Sequence, residues 1–255
     1  MKIAVLIKQV PDTEEPRKLA ASGHLDRNEA ELIADEITER ALEVALKVKD
    51  GDKKTEIIAV TLGPGSATDA LRKALSLGAD SAMHIQDESL AGSDAVSTAR
   101  ALAEALRKID ADAILAGGES TDGRGGVVPA MVAELLGLPF AGPLAAVDFE
   151  GSKVTGQRPV AGGNQQVSVG LPAVLTVTES VGEARFPKFK GIMTAKRKPI
   201  NAEDAASLGL TVDHATGNRV LSSAVRPPRS SGQIIQDEGD AVQRLIAYLE
   251  SEQLI

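Results

Sequence analysis

The chain has 255 residues, 43% of them apolar, enough for one sizeable core with a small appendage. Lys and Arg number 28 against 36 Asp and Glu, a net charge of −8, with one Tyr, four Phe and no Trp. Such a chain lacks the positive field and the stacking rings that nucleic-acid binding needs. It has no cysteine, which excludes disulfides, thiolate metal sites and cysteine nucleophiles. No apolar run approaches the roughly 18 residues of a spanning helix, and the short run after Met1 has no cleavage pattern behind it, so the expected compartment is the cytoplasm.

Strand and helix patterns alternate through the first 140 or so residues. Residues 3–7 are continuously apolar, as in a strand buried on both faces. Ile37, Ala41, Val44, Ala45 and Val48 recur at helical spacing, with Glu36, Glu39, Arg40, Glu43 and Lys47 opposite them. Residues 56–62 read as a second strand, closed by Gly63-Pro64-Gly65-Ser66, with Ser66 expected to cap the helix that runs to Leu77. Residues 81–85 are a third strand, Ser93 is expected to cap a helix to about Lys108, and residues 113–116 are a fourth strand. A glycine-rich turn then leads into a helix over about 127–136. This alternation predicts an α/β fold, a mostly parallel sheet flanked by helices in three layers, as in Rossmann-like nucleotide binders. After Gly142 the pattern changes: 144–149, 153–160 and 165–169 predict a small antiparallel meander. Residues 173–177 are another apolar strand, 201–225 read as irregular, 226–232 as a linker, and 239 onward as an amphipathic helix carrying Val242, Leu245, Ile246 and Leu249 on one face. The expected organisation is an α/β domain over 1–225 and a C-terminal arm over 226–255.

The chemistry-bearing segment is Gly117-Gly118-Glu119-Ser120-Thr121-Asp122-Gly123-Arg124-Gly125-Gly126, at the carboxyl end of a predicted parallel strand, where open α/β sheets bind ligands. Its five glycines allow close backbone approach, a helix start supplies free N–H groups for a phosphate, and Ser120, Thr121 and Asp122 add hydroxyls and a carboxylate. Two readings stay open at this level, a nucleotide site and an ordinary strand-to-helix turn. The segment lacks the Gly-Lys-Ser/Thr of a phosphate-binding P-loop and the spacing of a dinucleotide fingerprint. His24, His84 and His214 show no metal spacing, and the pairs Glu14-Glu15 and Asp35-Glu36 read as solvated or helix-start charges, so no catalytic or metal residue is assigned. Residues 183–198 interleave two of the four Phe with six Lys or Arg, which suits docking on an acidic partner or, equally, a loop tucked into its own core.

Taken together, the opening 2–13, the Leu62-Gly63-Pro64-Gly65 turn before 67–80, the 117–126 loop, and Ala184-Arg185-Phe186 through Ile192-Met193-Thr194-Ala195-Lys196 resemble the beta subunit of electron transfer flavoprotein over nearly the whole chain. The resemblance implies an electron carrier rather than an enzyme. It implies an obligate heterodimer whose alpha subunit holds most of the FAD contacts, with AMP as a structural ligand of this chain. Flavin dehydrogenases, such as the acyl-CoA dehydrogenases of fatty acid oxidation, would donate electrons, and a membrane quinone oxidoreductase would receive them. By position the AMP contacts fall on Leu6, Asp35, Ile37, Thr38, Leu62, Gly117, Ser120, Thr121, Asp122, Gly123, Gly125, Gly126, Val127 and Val128. The 183–193 segment would dock partner dehydrogenases, with Arg185, Phe189, Ile192, Met193 and Lys196 taking part and Phe189 as anchor, and the arm after Pro228 would wrap the alpha subunit. Three departures are evident, the first being Phe189 at an anchor that is often leucine in relatives. Many relatives have Asp-Gly-Asp-Thr and a Gln in the glycine loop, where this chain has Asp122-Gly123-Arg124-Gly125-Gly126-Val127, which argues against a second FAD in place of AMP. Mitochondrial members carry an acidic residue near the position of Pro159. The competing readings are a stand-alone ATP-binding or adenylating α/β enzyme, since the 117–122 run faintly resembles the loop of ATP pyrophosphatases, and a nucleotide-sensing binding module.

Overall fold

The computed structural model describes residues 1–211, 220–228, 232 and 234–255. His214, part of the 201–225 stretch and part of the 226–232 linker lie outside the described residues. The chain forms two compact units, Met1–Val220 and Leu221–Ile255.

The first unit is built on the strands β1 (Lys2–Leu6), β2 (Gln9–Pro11), β3 (Leu32–Ala34), β4 (Glu56–Leu62), β5 (Ser81–Ile85), β6 (Ala113–Gly117), β7 (Phe140–Leu144), β8 (Ala146–Glu150), β9 (Lys153–Val160), β10 (Gly163–Gly170), β11 (Ala173–Val177) and β12 (Ile200–Glu203). Its helices are α1 (Glu36–Gly51), α2 (Thr68–Leu77), α3 (Ala95–Ile109), α4 (Val128–Leu136) and α5 (Phe189–Ala195). Seven strands make a parallel sheet in the order β12-β5-β4-β1-β6-β11-β7. The two-residue period of β1 divides the core: Ile3 and Val5 pack with α1 and α2 on one face, and Ala4 and Leu6 with α3 and α4 on the other. Both faces of the central strands are therefore covered, which is why β1, β6 and β11 read as nearly unbroken apolar runs. From β1 the chain winds outward through β4 and β5, then crosses back to β6 on the opposite flank. The switch point thus lies between β1 and β6.

The predicted architecture is present, with several local corrections. Leu144 ends β7, a parallel strand on the sheet edge, and the antiparallel meander is β8, β9 and β10. Ser66 does not cap α2: a short 3-10 turn over Gly65–Ala67 precedes the helix, and the Ser66 hydroxyl instead donates to the Gln9 amide oxygen at 2.9 Å. The cap of α3 is Asp94 rather than Ser93, because a carboxylate one residue later reaches the Ser97 N–H at 2.8 Å. The stretch 183–200 contains α5, and β12 extends the sheet where an irregular chain was expected. The β2–β3 ribbon had no expectation at all, since two three-residue strands set 20 residues apart leave no periodic signal.

The second unit holds α6 (Ala241–Ser251), on which Val242, Leu245 and Ile246 are all exposed, as is Tyr248. No helix among the described residues is long and apolar enough to cross a membrane.

Candidate functional site

A cleft of about 420 Å³ opens at the carboxyl ends of β1, β4 and β6, at the switch point. Leu6, Val60, Leu62 and Leu102 give it an apolar lining, and the loop from Gly117 to Val128 supplies its polar side. Of the residues assigned by resemblance, Leu6, Thr38, Leu62, Gly117, Ser120, Gly123, Gly125, Gly126, Val127 and Val128 line it. Ile37 and Thr121 face a neighbouring cleft of about 560 Å³ on the other side of the same loop.

Asp35 and Asp122 line neither cleft. Asp35 is fully buried rather than solvated. Its Oδ1 accepts from the Ile37 N–H at 3.1 Å, capping α1, and its Oδ2 accepts from the Thr121 N–H at 2.9 Å. One carboxylate therefore ties the start of α1 to the middle of the glycine loop. Burial pushes its pKa above the usual aspartate range, against the hydrogen bonds from Thr121 and Ile37. Asp122 is also shut away from solvent, and both its oxygens are engaged. Lys8 Nζ donates to Oδ1 at 2.7 Å, the Gly123 N–H donates to the same oxygen at 2.6 Å, and Arg27 donates to Oδ2. Burial opposes ionisation of Asp122, but the hydrogen bonds from Lys8 and Ser120 outweigh it and hold the carboxyl well below the ordinary range. Both aspartates act on the loop from behind.

The loop backbone is aimed by packing. A Cβ on Gly117 would stand 2.8 Å from Ile37 Cγ2, so a side chain there would displace the start of α1. Gly125 has nothing within 4 Å of such a Cβ, and Gly126 has φ +64°, in the left-handed region. The N–H groups of Gly125, Gly126 and Val127 have no hydrogen-bond partner among the described residues, and α4 begins immediately after them. Free N–H groups running into a helix start make an anion site. The Lys8 ammonium, also bonded to Ser120 Oγ at 3.0 Å, adds positive charge at the cleft wall.

Lys8, Arg27 and Thr98 were not singled out from the sequence, and Ser93 only as a helix cap. Lys8 could have been, as the first charged residue beyond a buried parallel strand; Arg27 carries no such signal, because only the fold of 12–31 brings it to Asp122. Ser93 and Thr98 line the cleft because α3 starts there. His84 is buried, with Nε2 3.1 Å from the Gly63 carbonyl and Nδ1 3.3 Å from the Thr68 hydroxyl, while His24 is exposed. No cluster of three or more metal-binding side chains occurs among the described residues.

The docking candidates separate in space. Phe189, Ile192, Met193 and Lys196 lie exposed on α5 or at its end. Arg185 is turned inward, its guanidinium forked on Glu43 at 2.7 and 2.9 Å and reaching Asp50 at 2.8 Å. Those bonds raise its pKa further above the ordinary arginine value, with burial opposing.

The electron transfer flavoprotein domain model matches residues 22–208. Over 99% of both chains the protein is 44% identical to an electron transfer flavoprotein subunit beta of Mycobacterium leprae. It is 36% identical to a protein of the same name from Syntrophomonas wolfei, over 97% of this chain and 94% of that one. It is 31% identical to the CarD subunit of a caffeyl-CoA reductase-Etf complex from Acetobacterium woodii, over 99% of this chain and 97% of that one.

Proposed function

Because the chain belongs to the electron transfer flavoprotein family, and matches its beta subunits from end to end, we propose that it serves as the AMP-holding half of a cytoplasmic heterodimer that carries electrons on FAD. The observation that carries this reading is the switch-point cleft. Its volume falls within the range of about 300–1,000 Å³ usual for small-ligand sites. Its leucines and valines suit the faces of an adenine ring, and the unpartnered N–H groups of Gly125, Gly126 and Val127 suit a phosphate. Ser120 and Thr38 offer hydroxyls for the sugar.

The flavin, held mostly by the alpha subunit, would supply the redox chemistry, since it accepts either one or two electrons. This chain's own residues bind and position. Asp35 and Asp122 keep the glycine loop in its binding shape, Lys8 offsets phosphate charge, and the 183–193 segment meets flavin dehydrogenases such as acyl-CoA dehydrogenases. A membrane quinone oxidoreductase would take the electrons onward. Arg124 stands where many relatives carry an acidic residue; its side chain is exposed and pairs loosely with Glu119 at 3.4 Å.

The test is nucleotide content. The tagged chain is recovered from its host with its partners, the complex is denatured, and released nucleotides are quantified. One FAD and one AMP per complex is the expected result. Two FAD without AMP would overturn the AMP assignment, and ATP alone with a colourless preparation would favour an adenylating enzyme.

A further inference from the structure

Two aromatic rings stand almost fully in water on this protein: Phe186 is 90% exposed and Phe189 80%. Rings on a slack loop would fold down onto the nearest apolar surface. These do not, because the backbone on each side of them is fastened to a different helix. On the near side, Arg185 makes a bidentate contact with Glu43 of α1 and a third bond to Asp50, while its own N–H donates to Glu43 at 3.2 Å. Arg40 of the same helix donates to the carbonyls of Glu179 and Gly182 at 3.1 and 2.8 Å. On the far side, α5 lies so close to α2 that a Cβ on Gly191 would stand 2.3 Å from the Ser76 carbonyl oxygen. Arg72 of α2 donates to the Ala195 and Lys198 carbonyls at 2.7 and 2.8 Å, and Lys198 donates back to the Leu75 carbonyl at 2.9 Å.

Glu43 is the telling residue. Its side chain is only 9% exposed, on a helix whose other buried residues are apolar except Thr38, and Arg185 is its one ion-pair partner among the described residues. An ion pair with one buried partner adds little stability and can instead fix a geometry.

We propose that Arg185 is a positioning residue, whose fork on Glu43 and Asp50 holds the Phe186–Phe189 backbone in the form that meets a flavin dehydrogenase, so that the docking surface is set before the partner arrives. The inference rests on the reading of 183–193 as the docking segment. It reassigns Arg185 from a partner contact to an internal strut.

The experiment uses the heterodimer with its FAD and an acyl-CoA dehydrogenase from the same host, saturated with acyl-CoA. Flavin reduction is followed over a range of heterodimer concentrations. Arg185→Ala is expected to raise KM about tenfold, as rings and loop must then be ordered at each encounter, with kcat and bound FAD unchanged. Glu43→Gln, which keeps the shape and removes the charge, is expected to raise KM in the same direction, and the two changes together to do little more than Arg185→Ala alone. Arg185→Lys, which retains the charge without the fork, is expected to fall between, and it carries the test if the alanine variant does not assemble. A KM within twofold of the parent for Arg185→Ala, while Phe189→Ala raises it, would overturn the positioning role. A rise for Arg185→Ala with none for Glu43→Gln would mean direct contact with the partner and would also overturn it. No change for Phe189→Ala would remove the docking reading itself.

Discussion

Replacing Asp122 by Asn isolates what holds the glycine loop from behind. The parent carboxylate is closed to solvent and takes charged hydrogen bonds from Lys8 at 2.7 Å and from Arg27. Bonds to charged groups contribute about 1.5–3 kcal/mol when sheltered. Both donors are 43% exposed, so screening brings each toward about 1 kcal/mol. Asn keeps one acceptor oxygen and turns an NH2 group toward the other cation, so the loss is about 2 kcal/mol at neutral pH. With an m-value of about 2–3 kcal/mol/M, the urea midpoint should fall by about 0.7–1 M, read by far-ultraviolet circular dichroism. The pH dependence has a definite sign. The folded-state pKa of Asp122 is lowered, so its contribution is complete above about pH 5, starts to decline as pH falls below the unfolded value of about 3.9, and is lost only as pH falls through the lower folded-state value. Parent and variant should therefore converge in acid, and also draw together as salt rises. A midpoint shift below about 0.2 M at neutral pH, or a difference unchanged down to about pH 3, would refute the assignment of Asp122 as the loop's strut.

Two glycines of the same loop should behave oppositely. Gly117→Ala presses a methyl to 2.8 Å from Ile37 and should cost about 1–3 kcal/mol of stability, seen in the same urea titration. Gly125→Ala meets no atom within 4 Å, so stability should stay within about 0.5 kcal/mol while AMP recovered from the purified complex falls. Removing residues 241–255 deletes the exposed apolar face of α6, and should weaken recovery of the alpha subunit on a tagged chain without altering the circular dichroism of the first unit beyond the lost helix.

Five of the seven sheet strands, β1, β4, β5, β6 and β11, were legible because strands covered on both faces are largely apolar, and the helices between them because one face of each must pack on the sheet; the less buried edge strands β7 and β12 were not. The place of the glycine loop, between a buried strand and a helix, was legible from the same alternation, while the choice between a nucleotide site and an ordinary turn was not. Helix caps were read one residue wrong at Ser93 because hydroxyl and carboxylate neighbours compete for the same N–H, and the choice depends on how the chain enters the helix.

What the sequence determined by itself was therefore the α/β class, the sheet edge on which the glycine loop sits and, through its resemblance, the family. Tertiary structure alone decided which polar groups line the cleft and which face inward. By resemblance Asp35 and Asp122 fall among the AMP contacts and Arg185 among the docking residues. In the fold each is held by groups far away in the chain, Asp35 by Thr121, Asp122 by Lys8 and Arg27, and Arg185 by Glu43 and Asp50. A charge's role depends on whether water or an opposite charge stands next to it. That is set by segments tens of residues distant, which no local pattern records.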